Sequence, residues 1–298
     1  MNVVDRPAFV DAGGETLFAV CSEPEHPGRV GVILLPAGGY TFTPQRNRWG
    51  VDMAHRLASL GHPTVRFDWK GIGDSTGSVD TFALDRPAIE DASAALTLLD
   101  SEQRVLMGQC YGSRTALAMA GSVERLGGVV LISPPVRDHA RGEGTATMRA
   151  YELSAGGYLK EGAKRLRPAM LTDRTELVRV ARIGRAFLRA RWQKATARFR
   201  TPDPTPWVSG PFLRQLEALI AAGTPTLLLY GSDENDFHEF TEARAGRLGG
   251  LLDRGVATVK LEVIPGSVHA LDRVEVQQAV IDRLEAWVGA LEAPDAHA

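Results

Sequence analysis

The chain of 298 residues is short of cysteine, with only Cys21 and Cys110. Two thiols in so long a chain exclude a disulfide framework and suit a reducing compartment. It also lacks an excess of either charge, with a formal net charge of −2 at pH 7. That balance argues against a bulk polyelectrolyte such as nucleic acid as partner. No apolar run approaches the length of a membrane span. The N-terminal stretch Met1 to Arg6 has no long apolar core of the signal-peptide kind. These absences lead to the expectation of a soluble, cytoplasmic protein. There is no internal repeat and no low-complexity tract. What the chain has is apolar residues, 44% of the total, ample for one large core or a core with an insertion.

Apolar runs of strand character alternate with runs at helical spacing, the pattern of a mainly parallel sheet covered on both faces. Strands are expected over 16–21, 30–35, 64–67, 104–107, 128–133, 226–230 and 260–264. Helices are expected over 51–60, 88–99, 113–120, 212–222 and 276–291. Residues 293–298 read as a frayed tail. Residues 137–210 hold no clear strand and are rich in helix formers, and so read as a helical cap inserted into an α/β core of 1–136 and 211–298. Within that stretch, residues 151–200 carry thirteen Lys or Arg against four Asp or Glu. Such charges make either the solvated faces of cap helices or a positive rim for an anionic substrate handle, as on coenzyme A or an acyl carrier protein.

The most informative stretch is Gly108-Gln109-Cys110-Tyr111-Gly112, between a strand-like run and a helix-like run. A sharp turn there lifts the Cys110 sulfur above the sheet edge, and the flanking glycines let the backbones of strand and helix approach. Unpaired N–H groups and the helix dipole favour negative charge at that point, which predicts a lowered thiol pKa. The N–H of Tyr111 is one expected oxyanion donor. The second is expected in Pro36-Ala37-Gly38-Gly39-Tyr40, with Gly39 first and Gly38 or Tyr40 behind it; an ordinary Gly-Gly turn explains the same residues.

A nucleophile at that turn needs a base, and the base needs an orienting acid. His269 follows the last strand, in Val263-Ile264-Pro265-Gly266-Ser267-Val268-His269. Of the other six histidines, only His238 is a rival, because it is close to the acid loop. Asp233, Glu234 and Asp236 crowd the loop after Leu228-Leu229-Tyr230. Asp233 is the first choice as nearest the strand end, with Glu234 behind it.

These elements resemble the nucleophile elbow, acid loop and histidine loop of α/β-hydrolases, in that chain order. Asp68-Trp69-Lys70-Gly71-Ile72-Gly73-Asp74-Ser75-Thr76-Gly77 is similar to the D-x-R-G-x-G-D-S-x-G loop of the serine aminopeptidase-like group, with Lys70 in place of Arg. A cysteine at the elbow resembles the exosortase A system-associated hydrolases, although Tyr111 stands where Asp is usual there. Dienelactone hydrolases also use Cys, without a large cap. The resemblance implies an α/β-hydrolase fold with an open sheet of about eight strands and a site between core and cap, and gives Asp74-Ser75 a loop-stabilising role.

A Cys–His pair attacks an activated acyl group and holds it as a thioester. Thioesters, activated esters and lactones are therefore the expected substrates; water as acceptor gives a thioesterase or esterase, another nucleophile an acyltransferase. Acyl elimination or cyclisation on the same triad is an alternative, and a non-catalytic binding module on this fold is another. The chemistry calls for no cofactor and no metal.

Overall fold

The computed structural model describes residues 2–38, 45–79, 82–138 and 203–292. The helical cap expected over 137–210 falls mostly outside them. So do Gly39, Tyr40 and the tail from 293. One compact unit is made of two separate stretches, Met1–Asp138 and Thr205–Ala298.

Eight strands form its sheet in the order β1-β2-β4-β3-β5-β6-β7-β8. They are β1 (Val3–Ala12), β2 (Glu15–Pro24), β3 (Val30–Leu35), β4 (Thr64–Phe67), β5 (Gln103–Gln109), β6 (Leu126–Ile132), β7 (Thr226–Gly231) and β8 (Val259–Ile264). From β4 to β8 every pairing is parallel, while β1–β2 and β2–β4 are antiparallel. The helices include α1 (Trp49–Ser59), α2 (Ile89–Leu96), α3 (Tyr111–Met119), α4 (Gly210–Ala221), α5 (Asn235–Ala243), α6 (Arg247–Arg254) and α7 (Val274–Glu292). Among the described residues no helix is long and apolar enough to cross a membrane.

The central strands are apolar on both faces because helices cover both. Ile33, Leu106, Leu131 and Leu228 point into one core with residues of α2, α3 and α4. Their neighbours Val32, Val105, Val130 and Leu229 point into the other, with α1 and α7. This is the period-two alternation of a pleated strand. Each fully buried aliphatic side chain there contributes roughly 1.5–3 kcal/mol.

Two features went unseen in the sequence. The first strand, β1, is one: Asp5-Arg6-Pro7 interrupts its apolar pattern, and most of its side chains are exposed. Gly13 and Gly14, both at positive φ (63° and 87°), make the tight turn into β2. That Gly-Gly pair is the signal that betrays the hairpin. The other is the pair α5 and α6, whose polar first turn and internal Gly249-Gly250 hide the helical period.

β3 has β4 on one side and β5 on the other, so the strand order reverses there. Open α/β sheets bind ligands at the carboxyl ends of the strands beside such a reversal. The loops leaving β3, β5, β7 and β8 all open on that edge.

Candidate active site

Cys110 joins β5 to α3 with φ 48° and ψ −109°, a conformation that L-residues rarely adopt. Such strain persists only where the surroundings hold it. Here the Cys110 N–H donates to Ile132 O (2.9 Å), and Cys110 O accepts from Ser113 N (3.1 Å), Arg114 N (3.2 Å) and Ser113 Oγ (2.6 Å). The flanking glycines are required by contact. A Cβ on Gly108 would overlap the Gly112 carbonyl, and one on Gly112 would overlap the carbonyl of Leu35.

The Tyr111 N–H lies against the Cys110 sulfur and favours its anion. The Tyr111 ring is packed edge-on against Trp69 and Phe82, and its hydroxyl donates to Arg86 O (2.9 Å). Gly38 sits beside Tyr111 and Phe82. Gly39 lies outside the described residues, so the second oxyanion donor stays a sequence expectation. The Asp68–Gly77 loop buttresses this corner. Trp69 Nε1–H donates to Pro36 O (3.2 Å). Ser75 Oγ donates to Asp68 O (2.8 Å) and accepts Phe18 N–H (2.9 Å), while Asp74 N–H donates to Asp68 Oδ2 (3.3 Å). Ser75 thus ties the loop to itself and to β2, and the Asp74 main chain is used inside the loop.

The acid loop brings a different carboxylate from the one chosen in the sequence toward the histidine. Asp233 is exposed, and its carboxylate accepts from the neighbouring Ser232 hydroxyl (2.6 Å). The carboxylate facing His269 is that of Asp236, with Oδ2 3.7 Å from Nδ1, a charge-pair separation longer than a hydrogen bond. The chain turns into α5 after Glu234, and that first turn carries Asp236 back toward the histidine loop. Glu234 is buried and does a different job. Its Oε2 accepts the main-chain N–H groups of Val268 (3.0 Å) and His269 (2.8 Å), and its Oε1 accepts the Ser133 hydroxyl (2.7 Å). One carboxylate thus pins the histidine's backbone while the other faces its ring. Gln109, just before Cys110, pins the same loop by donating from Nε2 to His269 O (3.1 Å). His238 is exposed on α5.

The electrostatics also correct the expectation of an acidic thiol. Burial pushes the Cys110 thiol up to about 12; Asp236 and Glu234 add to the rise, and the Tyr111 N–H opposes it. Desolvation and two carboxylates outweigh the helix N-terminus. Asp236 is itself pushed up to about 6, chiefly by burial, with Glu234 and Glu239 adding and His269 opposing. Glu234, Gln109 and Ser133 were missed as supports of the site. Their signal was position alone, each next to the end of a strand on the same edge. Among the described residues no group of three or more His, Cys, Asp or Glu side chains is arranged to hold a metal ion.

A family model, described as "Alpha/beta hydrolase family", matches residues 32–280. No curated protein sequence matches the chain. Among solved structures, an esterase of Pyrococcus furiosus superposes with TM-score 0.58 at 14% identity, over 98% of this chain and 94% of that one. Proline iminopeptidase of Mycobacterium smegmatis superposes with TM-score 0.56 at 15% identity, over 96% and 99%. A haloalkane dehalogenase of Agrobacterium tumefaciens gives 0.55 at 18%, over 96% and 97%. At these identities the likeness is one of fold.

Proposed function

The chain belongs to the alpha/beta hydrolase family, and from that premise we propose that it processes acyl groups through a thioester on Cys110. His269 is the base, and Asp236, in place of Asp233, is the acid that orients it. The observation that carries the reading is the elbow: a cysteine at φ 48° heading α3, with the Tyr111 N–H against its sulfur.

The steps follow from the groups present. As Cys110 Sγ bonds to the acyl carbon, its proton passes to His269. A thiol with a pKa near 12 holds almost no thiolate at neutral pH, so proton removal and attack proceed together. The carbonyl oxygen takes the electron pair and rests on the N–H of Tyr111, with Gly39 proposed as the second donor. Each such donor is worth on the order of 10²–10³ in rate. The carbonyl re-forms, the thiolate or alkoxide leaves, and His269 returns the proton to it. Water or another nucleophile then attacks the acyl-cysteine, passing its own proton through His269 back to sulfur. Asp236 stabilises the imidazolium in both halves.

Thioesters, activated esters and lactones are the substrates this sulfur chemistry favours. The basic composition of residues 151–200 supports an acyl group carried on coenzyme A or an acyl carrier protein, and the pair of thiols supports a reducing, cytoplasmic setting. Brief exposure to an acyl thioester followed by intact-mass analysis tests the reading. An acyl adduct on wild type, absent from Cys110→Ala, is expected. No adduct, with activity unchanged in Cys110→Ala, overturns it. Product analysis in labelled water then separates hydrolysis from transfer and from elimination. A binding module without catalysis is the second reading, favoured by the high thiol pKa. No turnover of any activated thioester, with Cys110 intact and folded, selects it.

A further inference from the structure

We propose that Arg114 is a positioning residue for Cys110, tying the first turn of α3 to both stretches of core chain that border residues 139–204. Arg114 lies one helical turn after the nucleophile and is 2% exposed. A guanidinium that deeply buried persists only when its donors are satisfied. Nη1 donates to Pro135 O (3.1 Å) and Arg137 O (3.0 Å), and Nη2 to Asp138 Oδ1 (2.8 Å) and Ser209 Oγ (3.0 Å). The Phe212 ring lies 5.6 Å from the guanidinium carbon. The acceptors come from both sides of 139–204, and the backbone N–H of the same arginine donates to Cys110 O.

The contacts continue along the chain without a gap from 134 to 138. Tyr230 Oη donates to Pro134 O (2.9 Å). Ser209 N–H donates to Val136 O (2.8 Å). The Arg137 side chain pairs with Glu239 (2.8 Å) and stacks 3.7 Å over the Trp207 ring. Ser209 Oγ also caps α4 by accepting Phe212 N–H (3.2 Å). Arginine is needed at 114 because its planar fork reaches four acceptors at once, which the three donors of a lysine ammonium, radiating from one atom, do not. A shift of either border therefore pulls on the turn that holds Cys110.

The test uses the full chain with Arg114→Lys, which keeps the charge and loses the fork, and Asp138→Asn, which keeps the shape and loses the anion. Each is measured well below its own Tm. The readouts are Cys110 alkylation by iodoacetamide and the split between kcat and KM on an activated thioester. Arg114→Lys is expected to change the alkylation rate by about threefold or more. It is expected to lower kcat by about tenfold, the size of effect that a small misplacement of a reacting group produces. Asp138→Asn shifts both in the same direction by less. A lower Tm with alkylation unchanged in both variants makes Arg114 purely structural and overturns the proposal. Alkylation needs no turnover, so this result is independent of whether the acyl-cysteine reading stands.

Discussion

The two cysteines make a controlled pair. Both thiols are pushed up, first by burial: Cys21 by desolvation with Glu23 adding and Arg6 opposing, Cys110 by desolvation with Asp236 and Glu234 adding. What separates them is backbone and company. Cys21 lies in the extended run of β2, opposite Arg6 and Val65. Cys110 stands at φ 48° at a helix start, with an N–H on its sulfur and two acids and a histidine loop on the same sheet edge. Acidity therefore does not separate the two thiols in this molecule. Geometry does, and in the proposed mechanism His269 must supply what the resting pKa withholds.

The comparison breaks if the two thiols behave alike on removal. Cys110→Ala is expected to lower turnover by about 10³-fold or more. Cys21→Ala should leave kcat within about twofold and cost about 1 kcal/mol of stability. Two of the acids sharpen it next. Asp236→Asn should cut kcat by about 10²-fold, whereas Asp233→Asn should leave it within about twofold, because an exposed side chain bonded to Ser232 is remote from this work. Steady-state kinetics on a thioester reads all four. The elbow glycines follow: Gly112→Ala, which drives a methyl into the Leu35 carbonyl, should destabilise by about 2–4 kcal/mol in denaturant melts.

The smallest effects are those of pH. With the Asp236 carboxyl near 6, kcat/KM should fall as pH drops through about 6, and Asp236→Asn should flatten that limb. The stability consequence has the opposite sign. The folded state holds this proton more firmly than the unfolded chain, whose Asp titrates near 3.8. Stability is thus greatest below about 3.8 and is lost as pH rises through 6. Asp236→Asn removes that loss and should raise Tm by a few degrees above pH 7.

Much of this was legible in the residues. Val30–Leu35 and Thr64–Phe67 came out at their true bounds because each is a short apolar run between breakers. The elbow was readable because two glycines at fixed offsets report a close approach that nothing else explains. Which carboxylate faces His269 was not readable: closeness to a strand end along the chain is not closeness in space, and one helical turn brings Asp236 to the ring. The thiol pKa was misjudged for a related reason. The helix N-terminus is visible in sequence, but the burial around Cys110 and the return of two carboxylates toward it are tertiary facts. Arg114 looked like an ordinary helical residue, since its four acceptors come from 135–138 and 209.

The outermost strand has a consequence for handling the protein. β1 pairs with β2 along its whole length and ends the sheet with Asp5, Arg6 and Pro7 in its middle. A proline without an N–H and two charges make a poor template for another chain. Behind it lies β2, whose Ala19, Val20 and Cys21 are buried. Trimming the chain to Gly13 would move the sheet's open border onto that apolar strand. The expected result is a protein that loses solubility, through edge-to-edge pairing, well before it loses the elbow around Cys110 on the far side of β4.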